Sequence, residues 1–90
     1  MHRIACADGR VVELDVPSLV GADLSGQLLH RAVLEGVDLT GANAEGADLR
    51  GSELSAARLD GANLVRARLM TAALVRTSLR GARAPRRPRR

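Results

Sequence analysis

Residues 32–64 read AVLEG-VDLTG-ANAEG-ADLRG-SELSA-ARLDG-ANL, and a leucine returns at every fifth position with one interruption, Ala44. The period extends in both directions. Steps of five from Leu14 to Ala84 give fifteen positions; thirteen are leucine, Ala44 and Ala84 are the exceptions, and only Leu28 is a leucine out of phase. Eight of the nine glycines, Gly36, Gly41 and Gly46 among them, follow a phased position by two, and nine alanines precede one by two. Composition alone does not lock three residue types to one phase. The chain is an internal repeat, and that reading governs everything else.

A period of five suits neither regular element. On a helix, five residues advance about 500°, so the leucines would scatter around the axis. On a flat strand, side chains alternate and an odd period sends successive leucines to opposite faces. All these leucines need burial, so the chain must turn after each one and point them at a common axis. That is a coil stacked on itself around an apolar interior. Alanine two before leucine also points inward where space is short, and glycine two after it suits a tight corner with positive φ.

Units such as Ala22-Asp23-Leu24-Ser25-Gly26, Ala47-Asp48-Leu49-Arg50-Gly51 and Ala62-Asn63-Leu64-Val65-Arg66 resemble the A-(D/N)-L-x-x motif of pentapeptide-repeat proteins. The resemblance covers roughly Pro17 to Ala84. It implies an all-β fold, a short right-handed quadrilateral β-helix with four units per coil, hence about 3.5 coils here. The chain departs from the motif in places. Gln27, Val37, Ser52 and Thr77 replace the small alanine; Leu28, Val33 and Ala73 take the Asp/Asn place; and Arg66, Thr71 and Arg76 replace the corner glycine, so a less regular C-terminal coil is expected. The family often places phenylalanine at unit centres, whereas this chain has no aromatic residue, so its core is expected to be narrow and aliphatic.

Ninety residues make one domain. The net charge of +4 hides an asymmetry: residues 1–79 hold eight arginines against ten acids, and residues 80–90 hold six arginines and no acid. With Cys6 the only cysteine, no intramolecular disulfide forms, and a reducing cytoplasm fits. No apolar run approaches a membrane span, and the start Met1-His2-Arg3-Ile4 lacks the apolar region of a signal peptide.

In order, residues 1–16 form an N-terminal cap: Arg3–Ala7 and Arg10–Leu14 flank Asp8-Gly9, which predicts a hairpin with a type I′ turn covering the first coil. Residues 17–84 form the β-helix. Residues 27–34, with paired leucines, offer a competing helical turn, but the unbroken phase through Leu29 and Leu34 argues against it. Twenty-residue stacking puts Asp48 beneath Arg68, Asp38 beneath Arg58 and Asp60 beneath Arg80 as exposed ion pairs. Residues 85–90, two prolines and four arginines, are expected to be disordered. Whether the chain stands alone or is a relic of a longer array is not legible in it.

Catalytic chemistry finds little to use. The histidines are His2 and His30; His30 follows a phased leucine and is expected to face solvent. Cys6 has no histidine near it except His2, and reads as a small buried residue. Zinc would need three or four clustered ligands. The carboxylates belong to the repeat, the glycines sit five apart instead of forming a phosphate loop, and the filled interior leaves no deep pocket. No enzyme activity, cofactor or metal is expected.

Three surfaces remain. Arg83, Arg86, Arg87, Arg89 and Arg90 form a basic run that would contact nucleic-acid phosphates in a salt-dependent way, without an aromatic residue for base stacking. Leu28, Val33, Val37, Val65, Met70 and Val75 lie at outward or semi-outward places and form a candidate protein-contact patch. The open C-terminal rung offers weak self-association. The leading expectation is a cytoplasmic interaction or scaffold module with no membrane contact, its partner unidentified. Nucleic-acid association is the alternative. The resemblance also raises duplex mimicry toward DNA gyrase, which a short, nearly neutral body ending in arginines fits poorly.

Overall fold

The computed structural model describes residues 1–84, so the expectations for residues 85–90 lie outside the described residues. Two strands, β1 (His2–Ala5) and β2 (Val11–Leu14), pair antiparallel with Ala5 opposite Val11. From Leu19 onward the chain is a β-helix whose rungs are short parallel bridges between residues twenty apart: Asp23 with Asn43, Leu28 with Asp48, Val33 with Glu53, Asp38 with Arg58, and onward to Asn63 with Arg83. Twenty residues and a corner every five make four sides. No helical turn forms at residues 27–34; Leu29 and Leu34 are buried on adjacent sides.

The regular five-residue units pair their backbone donors in one pattern. The leucine N–H donates to a carbonyl of the following coil, as Leu24 does to Asn43 and Leu49 to Arg68. The N–H two later does likewise, Gly26 to Glu45. The residue before leucine donates to the preceding coil, Asn43 to Ala22. The residue two before leucine closes the corner on the previous leucine's carbonyl, Ala42 to Leu39. One donor remains, the N–H just after leucine, and the Asp/Asn side chain takes it. Asp23 accepts from Ser25, Asp38 from Thr40, Asn43 from Glu45, Asp48 from Arg50 and Asn63 from Val65. The motif's polar residue is therefore an Asx turn that caps the one N–H left out of the stack.

The corner two after leucine has positive φ in every unit, whichever residue occupies it. Gly51 sits at 66° and Gly46 at 68°, but Arg31, Ala56, Arg66, Thr71 and Arg76 lie between 57° and 62°. The expected irregularity after Leu64 is thus absent from the backbone. Ladder bonds such as Leu54 N–H to Ala73 and Ala56 N–H to Val75 hold these corners against the local preference of an L-residue. At Gly51 an added Cβ would meet the Arg31 stem at 3.4 Å and the Thr71 hydroxyl at 3.6 Å, ordinary van der Waals contact, so there too glycine answers the positive φ and not a lack of space.

The interior is aliphatic. Leu29 and Leu54 are fully buried, and Ala42, Ala47, Ala57 and Ala62 fill the narrower places. Ser52 occupies an alanine place and is buried, with no hydrogen-bond partner for its hydroxyl. Thr77, at the same phase, reaches the Leu54 carbonyl at 2.7 Å.

At the N-terminus the hairpin differs in detail from the expectation. Cys6 N–H donates to the Arg10 carbonyl and Gly9 N–H to the Cys6 carbonyl, with positive φ at Gly9 and not at Asp8. The connection is thus a three-residue loop, Ala7-Asp8-Gly9, ending on one left-handed residue, and not a two-residue type I′ turn. The extra residue lets Cys6 turn and bridge Ala32 antiparallel, while Ala5 accepts the Val33 N–H.

Two substitutions test this account by urea unfolding. Gly46→Ala meets no atom within 4 Å, so it reports the conformational term alone and should destabilise by about 1–2 kcal/mol. Ser52→Ala removes an unpartnered buried hydroxyl and should stabilise by about 1 kcal/mol.

Candidate interaction surfaces

The densest polar cluster joins the hairpin to the coils. Arg10 is its centre. Its guanidinium donates to the carbonyls of Leu28 (3.2 Å) and His30 (3.1 Å), and to the Asp8 carboxylate (3.1 Å). In later coils, carbonyls at these two phases accept backbone N–H groups from the coil before. Arg10 substitutes for that missing coil. Nothing in the sequence announces this role, because it exists only once the hairpin has folded over the rung.

His30 is half-buried, where the phase alone led us to expect a solvent-facing residue. Its Nε2 lies 3.5 Å from Asp8 and its Nδ1 3.8 Å from Asp48, and Nδ1 is buried without a hydrogen-bond partner. Arg50 makes two 2.8 Å bonds to Asp48. This side-chain pairing is the main reason the Asp48 carboxyl is held down to about 2 from its ordinary 3.8. The Asp8 carboxyl is also lowered, chiefly by the Arg10 backbone N–H and then by its guanidinium. Beside the cluster, His30, Arg31, Arg50, Gly51 and Thr71 line a shallow polar hollow of about 220 Å³.

The predicted columns have the right register and the wrong pairing. Asp48 stacks on Arg68 and Asp38 on Arg58, yet neither stacked pair is an ion pair among the described residues. Each aspartate instead turns back to cap its own corner, Asp48 to Arg50 and Asp38 to Thr40. Asp60 accepts the Arg80 backbone N–H at 2.9 Å, not the guanidinium.

The apolar candidates divide. Leu28 (59% exposed) and Val33 (50%) stand on adjacent sides of the N-terminal coil; Met70 and Val75 are exposed on the last coil. Between them lie polar residues, Asp48 above Leu28 and Glu53 above Val33. Val37 packs against the core and Val65 is half-buried. Of the basic run, Arg83 is exposed and bridges Asn63; Arg86, Arg87, Arg89 and Arg90 lie outside the described residues. Among the described residues, the expectation of a filled interior gives way at the C-terminal end. At the C-terminal end, Leu59, Leu64, Leu69, Leu74 and Leu79 line an apolar hollow of about 230 Å³.

Among the described residues, no group of three or more His, Cys, Asp or Glu side chains converges on a metal position, and no helix is long and apolar enough to cross a membrane.

Comparison with known proteins agrees with this architecture. The family model described as pentapeptide repeats (8 copies) matches residues 18–55 and 52–84. The chain belongs to the pentapeptide-repeat family. Among solved structures, a pentapeptide-repeat protein from the cyanobacterium Cyanothece 51142 is 34% identical over 71% of this chain, with a TM-score of 0.54. A pentapeptide-repeat protein of the Arabidopsis thaliana thylakoid lumen is 35% identical over 72% of this chain, with a TM-score of 0.40. This chain covers 50% and 52% of those two proteins, about half their length. No curated protein matches. Pentapeptide-repeat proteins are generally non-enzymatic repeat proteins.

The cluster fixes a pH dependence. A carboxyl whose folded value lies below its unfolded one contributes stability above the unfolded value and loses it as pH falls through the folded one. For Asp48 that window runs from about pH 4 down to about pH 2. Asp48→Asn keeps the Asx cap, as Asn43 and Asn63 show, and removes the ion pair with Arg50. Urea midpoints measured across that window should fall less steeply for Asp48→Asn than for the unaltered chain.

Proposed function

We propose that the chain is a non-enzymatic protein-interaction or scaffold module, a right-handed β-helix of about 3.5 coils that presents fixed columns of side chains on its outer faces. The observation that carries this reading is the pair Leu28 and Val33. Both occupy the place where the repeat needs an Asp or Asn to cap a backbone N–H, and both are at least half exposed. Each forgoes a cap and leaves apolar surface in water, two local losses that folding does not recover. A partner surface that covers them accounts for both. The single buried Cys6 is compatible with a reducing cytoplasm, which belongs to this proposal.

The second reading is nucleic-acid association through the basic C-terminal region. It draws on Arg83 together with the four arginines that follow it in sequence. Gyrase modulation by duplex mimicry needs an acidic face along the whole rod, and the arginines of residues 65–84 oppose it.

One set of proteins separates the readings. Leu28→Asn with Val33→Asn restores two Asx caps, so the double variant should be at least as stable as the parent. Sedimentation of the parent over a wide concentration range should show association that the double variant lacks. The face reading fails if both remain monomeric and only duplex DNA or RNA binds, with steep salt dependence and loss on truncation after Ala84.

A further inference from the structure

Three independent features meet at the C-terminal end of the β-helix. The first is the apolar hollow. Leu74 is 38% and Leu79 42% exposed, whereas Leu54 and Leu59, one coil earlier at the same phases, are essentially buried. The second is the backbone. From Gly21 to Leu64, each N–H at the leucine place and each N–H two later donates to the coil that follows. At Leu69, Thr71, Leu74, Arg76, Leu79 and Gly81 these donors find no backbone acceptor among the described residues. The sequence beyond Ala84 does not continue the leucine phase, since arginines occupy positions 87 and 89 where the repeat has an inward alanine and leucine. The third is charge. Residues 65–84 hold Arg66, Arg68, Arg76, Arg80 and Arg83 with no acid, while residues 11–64 hold nine acids against three arginines. Arg66 is paired with Glu45 of the preceding coil; the other four make no ion pair among the described residues.

We propose that this end is a docking site for an extended acidic polypeptide segment that carries a leucine-sized side chain. The segment adds a partial rung: its carbonyls take the N–H donors that have no acceptor among the described residues, its apolar side chain enters the hollow, and its carboxylates meet Arg68, Arg76, Arg80 and Arg83. Charge selects this occupant over two others. Two copies meeting end to end would bring two arginine rims together, which opposes symmetric pairing. A nucleic-acid duplex would satisfy the arginines and leave the leucines and the backbone donors uncovered. Arg68 lies two rungs from Leu28 in one column, so the Leu28 and Val33 variant below separates this site from the face reading.

Fluorescence anisotropy with the full chain tests it. The probes are a labelled peptide of about eight residues alternating Asp or Glu with Leu, the same peptide with Ser for Leu, the same with Lys for the acids, and a short DNA duplex. The acidic leucine peptide should bind about tenfold or more tighter than either altered peptide. Arg76→Gln, Arg80→Gln and Arg83→Gln together, all on exposed side chains, should weaken it by about tenfold. Leu79→Asn should also weaken it, with the fold monitored by circular dichroism. Leu28→Asn with Val33→Asn, and a chain with glutamine at the four arginines beyond Ala84, should bind as the parent does. Amide exchange at Leu69, Leu74 and Leu79 should slow in the complex, which a purely electrostatic association would not produce. The proposal is overturned if the serine peptide binds equally, if the duplex outcompetes the leucine peptide, if only the arginines beyond Ala84 matter, or if no peptide binds.

Discussion

The left-handed corner two residues after each leucine is the constraint on which the fold depends. It bends the chain after every inward side chain and converts an odd period, useless to a flat strand, into a closed polygon. Once the corner is set, the rest follows. The leucine N–H and the corner N–H point toward the next coil, the donor before leucine points toward the last, and one N–H is stranded beside the corner. The Asp/Asn position exists to receive it. The five-residue motif is thus a description of where five backbone donors go.

This view explains which departures are tolerated. A corner can hold arginine or threonine because neighbouring rungs fix it from above; the penalty is conformational and local, about 1 kcal/mol or somewhat more at each such site. An inward leucine has less latitude, since its replacement leaves a void in a core only one side chain wide; among the buried leucine places, Ala44 is the exception. The cap position lies between these extremes. Without Asp or Asn, one N–H loses a partner and the coil remains intact, so Leu28, Val33 and Ala73 occur there. Variation therefore collects at the outward-facing cap positions, where it changes what a partner would meet.

The leucine phase and the glycines following it by two were enough to read the coil, its corners and its inward face. The hairpin was legible from Asp8-Gly9, though its loop length was not, because one extra residue is needed for Cys6 to bridge Ala32. The ion-pair columns misled. Register can be counted along the chain, but the direction of a carboxylate is decided by the nearest unsatisfied donor, and for Asp38 and Asp48 that donor lies two residues away. The contacts of Arg10 and His30 were hidden for a different reason. Both depend on the hairpin lying across the rung, a tertiary event with no periodic trace.

The two ends of the described β-helix face the same problem, a rung with no further coil among the described residues, and meet it differently. At the N-terminus the hairpin supplies substitutes: Ala5 accepts the Val33 N–H, Arg10 donates to Leu28 and His30, and Ile4 lies in the core above the first leucines. At the C-terminus the core continues to the last described coil and its leucines become exposed. An uncovered rung would normally recruit its own kind, edge to edge. Here the arginines that crowd residues 65–84 make that pairing unfavourable, while among the described residues no backbone carbonyl takes these donors. Positive charge on an edge is a recognised guard against self-association, and the same charge attracts a carboxylate-bearing strand. Protection from the chain's own copies and attraction toward an acidic partner are, at this edge, one electrostatic property.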